Sequence, residues 1–181
     1  MPAATRTRIL DGAIAVLRNG NPLSVRPFAI AATTGVSASL INYHFPDPDT
    51  IAPQAAIAHL REYTSLERSL LGDDSRESLP LLQEWLRHRT EWTRKCPGIT
   101  AMLIAPHVYG LERYGEWHQL TQSLIDGLTP HVLAIRKASL EDAKIHARIL
   151  NKIGFLPLRE IEEFRELLLS EAILNKNQAN L

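Results

Sequence analysis

An all-α fold is predicted by three observations. Apolar residues recur at three- and four-residue spacing along most of the chain. No stretch alternates apolar and polar residues as a half-buried strand would. The breaks between periodic stretches carry glycine, proline, serine or asparagine, the residues that end and restart helices. Internal repeats and low-complexity segments are absent from the sequence.

The elements follow in order. Leu10, Ala13, Ile14 and Leu17 give a first helix over Thr5 to Asn19 with one apolar face. Gly20 is placed to end it, and Asn21-Pro22 prevents continuation. Ser24 is the expected N-cap of a second helix, with Pro27 in its first turn and Phe28, Ala31 and Ala32 facing the core. Gly35 supplies a tight turn, and Ser37 caps a third helix. On that helix Leu40 is expected inside, with Ala38, Ser39, Asn42 and Tyr43 outward and Phe45 in the core. Asp47-Pro48 opens a fourth helix carrying Ile57, Leu60, Leu66 and Leu70, with Pro53 awkward one turn in. After the loop Gly72-Asp73-Asp74-Ser75, helices are expected over 79–95, 99–108, 112–137 (weak at Gly127 and Pro130), 140–153 and 158–175.

Composition narrows the function class. The 181 residues carry 20 basic and 20 acidic side chains, so the formal net charge is zero. That excludes a protein that coats nucleic acid by bulk charge. Within residues 1–50, Arg6, Arg8, Arg18 and Arg26 stand against Asp11, Asp47 and Asp49. Any nucleic-acid contact must rest on placement of a few groups. No apolar run is long enough to span a bilayer, and the N-terminal stretch lacks a signal-peptide core. The single cysteine, Cys96, allows no internal disulfide. A cytoplasmic protein with no membrane partner is expected. Glu84, His88 and Glu91 share a helix face, but with no His pair at i, i+4 and no second cysteine, a solvated face explains them better than a metal.

Two short helices joined by a glycine-containing turn form a helix-turn-helix, whose second helix enters the DNA major groove. Here the pattern runs from Ser24 through Thr34-Gly35-Val36-Ser37 to Asn42-Tyr43-His44-Phe45. Ser24 lies where a helix N-terminus favours phosphate, and Arg26 is placed to neutralise it. Ser37, Ala38, Ser39, Asn42 and Tyr43 lie on the reading helix. Asn42 suits adenine and the Ala38 methyl suits a thymine methyl. Tyr43 and His44 suit phosphate.

Ile9-Leu10-Asp11-Gly12-Ala13, Ser24-Val25-Arg26-Pro27-Phe28-Ala29, Thr34-Gly35-Val36-Ser37 and Asn42-Tyr43-His44-Phe45 occur in order. Together this stretch resembles the DNA-binding domain of the tetracycline-repressor (TetR) family, over roughly a quarter of the chain. The resemblance implies a bacterial transcriptional regulator, commonly a repressor, that binds palindromic double-stranded DNA as a homodimer. It also implies a helix-turn-helix domain over residues 1–48 and a helical ligand-binding and dimerisation domain over 49–181, linked by the fourth helix. The chain departs from the family where a lysine often follows the second break, which is Pro48 here. It departs again where the reading helix usually carries Arg or Lys, which is Ala38 and Ser39 here. Phosphate neutralisation then falls on Arg6, Arg8 and Arg26, the first two on an N-terminal arm, and a shallow salt dependence is expected.

In the rest of the chain, Ile161, Phe164, Leu168 and Ala172 form a stripe on the last helix, and Ile145, Ile149, Leu150 and Ile153 on the one before. Two such helices suit half of a four-helix dimer interface, to which Ile149, Ile153, Ile161, Phe164 and Leu168 are assigned. Trp85, Arg89, Trp92, Met102, His107, Tyr109, Tyr114 and Trp117 are the candidate lining of a site for a small, mostly apolar effector, with Arg89 or His107 meeting a carboxylate or hydroxyl. Core filling by the same aromatics is the competing explanation. An enzyme fits poorly, since the sequence carries no nucleophile elbow and no phosphate-binding glycine loop. No cofactor is expected. A dimeric protein of this fold that has lost DNA binding and acts through a protein partner is the alternative.

Overall fold

The computed structural model describes residues 2–18, 20–73, 75–136 and 139–153, with side chains from Ala4 to Lys152. The regular structure in that range is entirely helical. It comprises α1 (Pro2–Arg18), α2 (Pro27–Thr34), α3 (Ala38–His44), α4 (Ile51–Leu71), α5 (Ser78–Lys95), α6 (Pro97–Ile104), α7 (Gly115–Arg136) and α8 (Leu140–Ile153). Short 3₁₀ turns sit at Pro22–Ser24, Pro48–Thr50 and Leu111–Arg113. None of these helices is long and apolar enough to cross a membrane.

The chain divides into two compact units. One is Met1–Thr64 with Thr93–Leu120, the other Ser65–Trp92 with the residues from Thr121 onward. In the first unit, α1 packs on α2, α2 on α3, and α1 on α6. Ile9, Ala13 and Leu17 of α1, Ile30 of α2, Ile41 of α3, Phe45, and Ile51, Ala55 and Leu60 of α4 are buried there. Two glycines permit the close approaches. A Cβ on Gly98 would overlap the backbone carbonyls of Leu17 and Gly20, and one on Gly12 would overlap the Thr34 methyl. The second unit has a core of Leu71, Leu81, Trp85, Leu86, Ile125, Leu128, Val132, Ala143, Ala147 and Leu150.

Several sequence expectations shift. The buried face of α1 is led by Ile9, with Leu10 only half-buried. Ser24 closes a 3₁₀ turn capped by the Asn21 side chain, so it is not the cap of α2. The reason is Pro27, which occupies the first helical position and holds Arg26 extended before it, at φ −129° and ψ 153°. Arg26 is therefore the N-cap residue and lies outside the helix. Phe28 is not core; it is 84% exposed. Leu40 is also exposed, and Ile41 takes the buried place. Helix α4 starts at Ile51 because Asp47 caps the separate turn Pro48–Thr50, which leaves Pro53 in the first helical turn, where no backbone donor is lost. On α4 the buried positions beyond Leu60 include Glu67 and Leu71, while Leu66 stands in solvent.

Helix α7 runs unbroken through Gly127 and Pro130. Pro130 is exposed, as is Asp126, whose carbonyl loses its helical donor, so the loss falls where water can replace it. Helix α6 ends at Ile104, short of Val108. Ile161, Phe164 and Leu168 lie outside the described residues, as does the Ile153 side chain.

Candidate nucleic-acid interface

The turn between α2 and α3 is built from local chemistry. Gly35 adopts the left-handed conformation, φ 70° and ψ 8°, that glycine takes without strain. Its N–H donates to the Ala31 carbonyl at 2.8 Å, closing α2. Thr34 ties both sides of the turn: its hydroxyl donates to the Ile30 carbonyl at 2.8 Å and accepts the Val36 N–H at 3.2 Å. Ser37 caps α3 as its sequence position predicts, accepting the Leu40 N–H at 3.2 Å.

Helix α3 is pinned by Ile41 and by Phe45 just past its end, both buried. Successive residues turn by about 100°. Ala38, Ser39, Asn42 and Tyr43 are all exposed, with Tyr43 at 78%; Ser39 and Tyr43 lie opposite Ile41, and Ala38 and Asn42 form a stripe on its flank. His44 is half-buried at the flank, its ring edge-on to Tyr43 at 5.4 Å. Phe28 and Leu23 are exposed on the elements just before.

The nearby arginines have intramolecular partners. Arg26 donates to the Asp49 carboxylate at 2.6 Å, both side chains in solvent. Arg6 and Arg8 lie within α1, not on an extended arm. Arg6 donates to the His44 carbonyl at 3.3 Å and to Gln54, with its guanidinium 4.4 Å from the centre of the Phe45 ring. Arg8 donates to the Thr34 carbonyl. Cations are thus placed on carbonyls at the C-terminal ends of α2 and α3, where the helix dipole favours them.

The candidate effector-site residues fall in both units. Met102 and Trp117 are buried in the first; Tyr109 and Tyr114 are half-buried there, and His107 is exposed. Trp85, Arg89 and Trp92 are buried in the second. Arg89 is fully buried, and its carboxylate is internal: Nε and Nη2 donate to the two oxygens of Glu67 at 2.7 and 2.6 Å. Nη2 also reaches Asn151 of α8 at 3.4 Å, and the guanidinium stands 5.2 Å from the Trp85 ring centre. The Trp85 indole N–H is buried with no acceptor among the described residues. On α8 itself, Ala143, Ala147 and Leu150 are buried, while Leu140, Ile145 and Ile149 are exposed.

Two arrangements were not foreseen. Glu67 is one, since an acid in an amphipathic helix reads as solvated. The other is a contact in the first unit between Cys96, the residue before α6, and His59 of α4, with Sγ and Nε2 3.4 Å apart. Burial pushes the thiol up and the imidazole down, so both stay neutral near pH 7. No sequence signal pairs residues this far apart. Among the described residues no three His, Cys, Asp or Glu side chains are grouped to hold a metal ion.

No protein-family model matches the chain, and none of the curated proteins matches its sequence.

Proposed function

We propose that this protein is a transcriptional regulator of the tetracycline-repressor kind, most simply a repressor, which binds palindromic double-stranded DNA as a homodimer in the cytoplasm. The observation that carries the reading is the α2–Gly35–α3 unit. It is a short helix held from behind by Ile41 and Phe45, with Ala38, Ser39, Asn42 and Tyr43 facing solvent. A convex helix of this size matches the major groove, and neutral hydrogen-bonding groups on it suit base edges. One such helix binds weakly, so two copies reading successive half-sites are required. Exposed Ile145 and Ile149 on α8 support an intermolecular face there.

Release by a small, mostly apolar effector belongs to the same reading. Its support is the buried Trp85 N–H, which lacks an acceptor among the described residues beside the Arg89–Glu67 pair.

The test is selection of binding sites from a random duplex pool, run beside a Tyr43→Ala/His44→Ala variant. A palindrome enriched by the parent and lost in the variant is expected. No enrichment at low salt by a folded dimer overturns the reading. A second reading, a regulator acting through a protein partner, draws on the exposed Leu23, Phe28, Leu40 and Tyr43, which make the α2–α3 region unusually apolar for a phosphate-contacting surface. That reading predicts no enrichment.

A further inference from the structure

From Pro27 to Pro46 the chain contains no Lys, Arg, Asp or Glu, so α2, its turn and α3 carry no permanently charged side chain. The three closest arginines in sequence or space are engaged with Asp49, His44 and Thr34. This bears directly on base recognition. Guanine is read in the major groove chiefly by Arg or Lys donating to O6 and N7, and cytosine N4 by a carboxylate. Neither type of group is present on α3. What the outward face offers is a methyl from Ala38, a carboxamide from Asn42 one turn later, and the Ser39 hydroxyl one turn before the Tyr43 ring. A carboxamide matches the N6 donor and N7 acceptor of adenine at once, and a methyl packs on the thymine C5 methyl.

We infer that the base pairs under the Ala38–Asn42 stripe are A·T pairs, recognised through thymine methyl groups and adenine N6/N7 rather than through guanine. The inference rests on the DNA-binding reading and adds to it the chemistry of the half-site. Recognition then depends on a group that only thymine carries.

The experiment uses the full-length protein and the palindrome recovered by selection. Thymines in the half-site are replaced one at a time by deoxyuridine, which keeps pairing and O4 but removes the methyl. The parent is expected to lose about fourfold in affinity at each contacted thymine, the factor that burial of one methyl-sized group carries. Ala38→Gly should be weaker on the thymine duplex and indifferent to uracil at its own position. Asn42→Ala should become indifferent to replacing the paired adenine by 7-deazaadenine, with helix content checked by circular dichroism. A palindrome whose contacted positions are G·C, or one in which uracil substitution changes nothing at any position, overturns this inference and leaves DNA binding standing. Failure to select any palindrome overturns the DNA-binding reading, and the inference with it.

Discussion

Polarity is inverted in two regions of this molecule, in opposite senses. Around α2 and α3, Phe28 and Tyr43 stand in solvent while the polar backbone ends are covered by Arg6 and Arg8. In the second unit, Glu67, Arg89 and Asn151 are buried together beneath helices whose surfaces carry Leu66, Ile145 and Ile149. The first inversion costs the fold little, because exposed side chains have lost no solvation, and it leaves a face open for a partner. The second is tied to stability, because each buried charge depends on the other. Substitutions should therefore separate them, with stability changing in one place and binding in the other.

The largest effect is expected at the buried pair. Glu67→Ala leaves the Arg89 guanidinium buried without its carboxylate and should cost about 3–5 kcal/mol in denaturant unfolding. Glu67→Leu combined with Arg89→Met should recover most of that loss. A cost for Glu67→Ala below about 1 kcal/mol, the range of exposed pairs, would dissolve the contrast. Next comes Gly98→Ala, where the new methyl meets the Leu17 and Gly20 carbonyls and should cost about 1–3 kcal/mol.

A pH effect follows from His59. Burial, and then the charge of Arg18, lower its pKa in the folded state below the ordinary 6.5. The unfolded chain then binds the proton more readily, so stability is full above about pH 6.5 and declines as pH falls from there through the lowered value. His59→Gln keeps a polar, non-titrating partner for Cys96 and should flatten the decline between pH 7 and 5. An unchanged decline would assign it to other groups.

The smallest stability effects belong to the open face. Phe28→Ala and Tyr43→Ala should alter unfolding free energy by no more than about 0.5 kcal/mol, while Tyr43→Ala should weaken the proposed DNA binding. Asp49→Ala breaks only an exposed pair, so stability changes by less than about 1 kcal/mol. It frees Arg26 for phosphate, and the slope of log affinity against log salt should steepen by about 0.9 per half-site. A flat response would mean that Arg26 does not reach the DNA.

What the sequence revealed, and what it hid, follows from range. Gly35 and Ser37 were legible because a left-handed turn and an N-cap depend on a few neighbouring residues. The span of α8 was legible for the same reason: its apolar period is local. Ser24 was misplaced because Pro27 competes with it as a start signal and prevails. Hydropathy alone points Phe28 and Leu40 inward, and nothing local says which of two adjacent apolar residues, Leu40 or Ile41, is the buried one. The partners of Arg89 and Cys96 lie 22 and 37 positions away. The first compact unit joins 1–64 with 93–120, a discontinuity that composition does not encode.

The proposed contact is between the outward face of α3 and DNA. Its most direct test is amide-resolved NMR of the labelled full-length protein titrated with the selected palindrome. The largest shift changes are expected at Ala38, Ser39, Asn42 and Tyr43 and at the start of α2, in a complex of two protein chains per duplex. Changes that leave α3 untouched would contradict it.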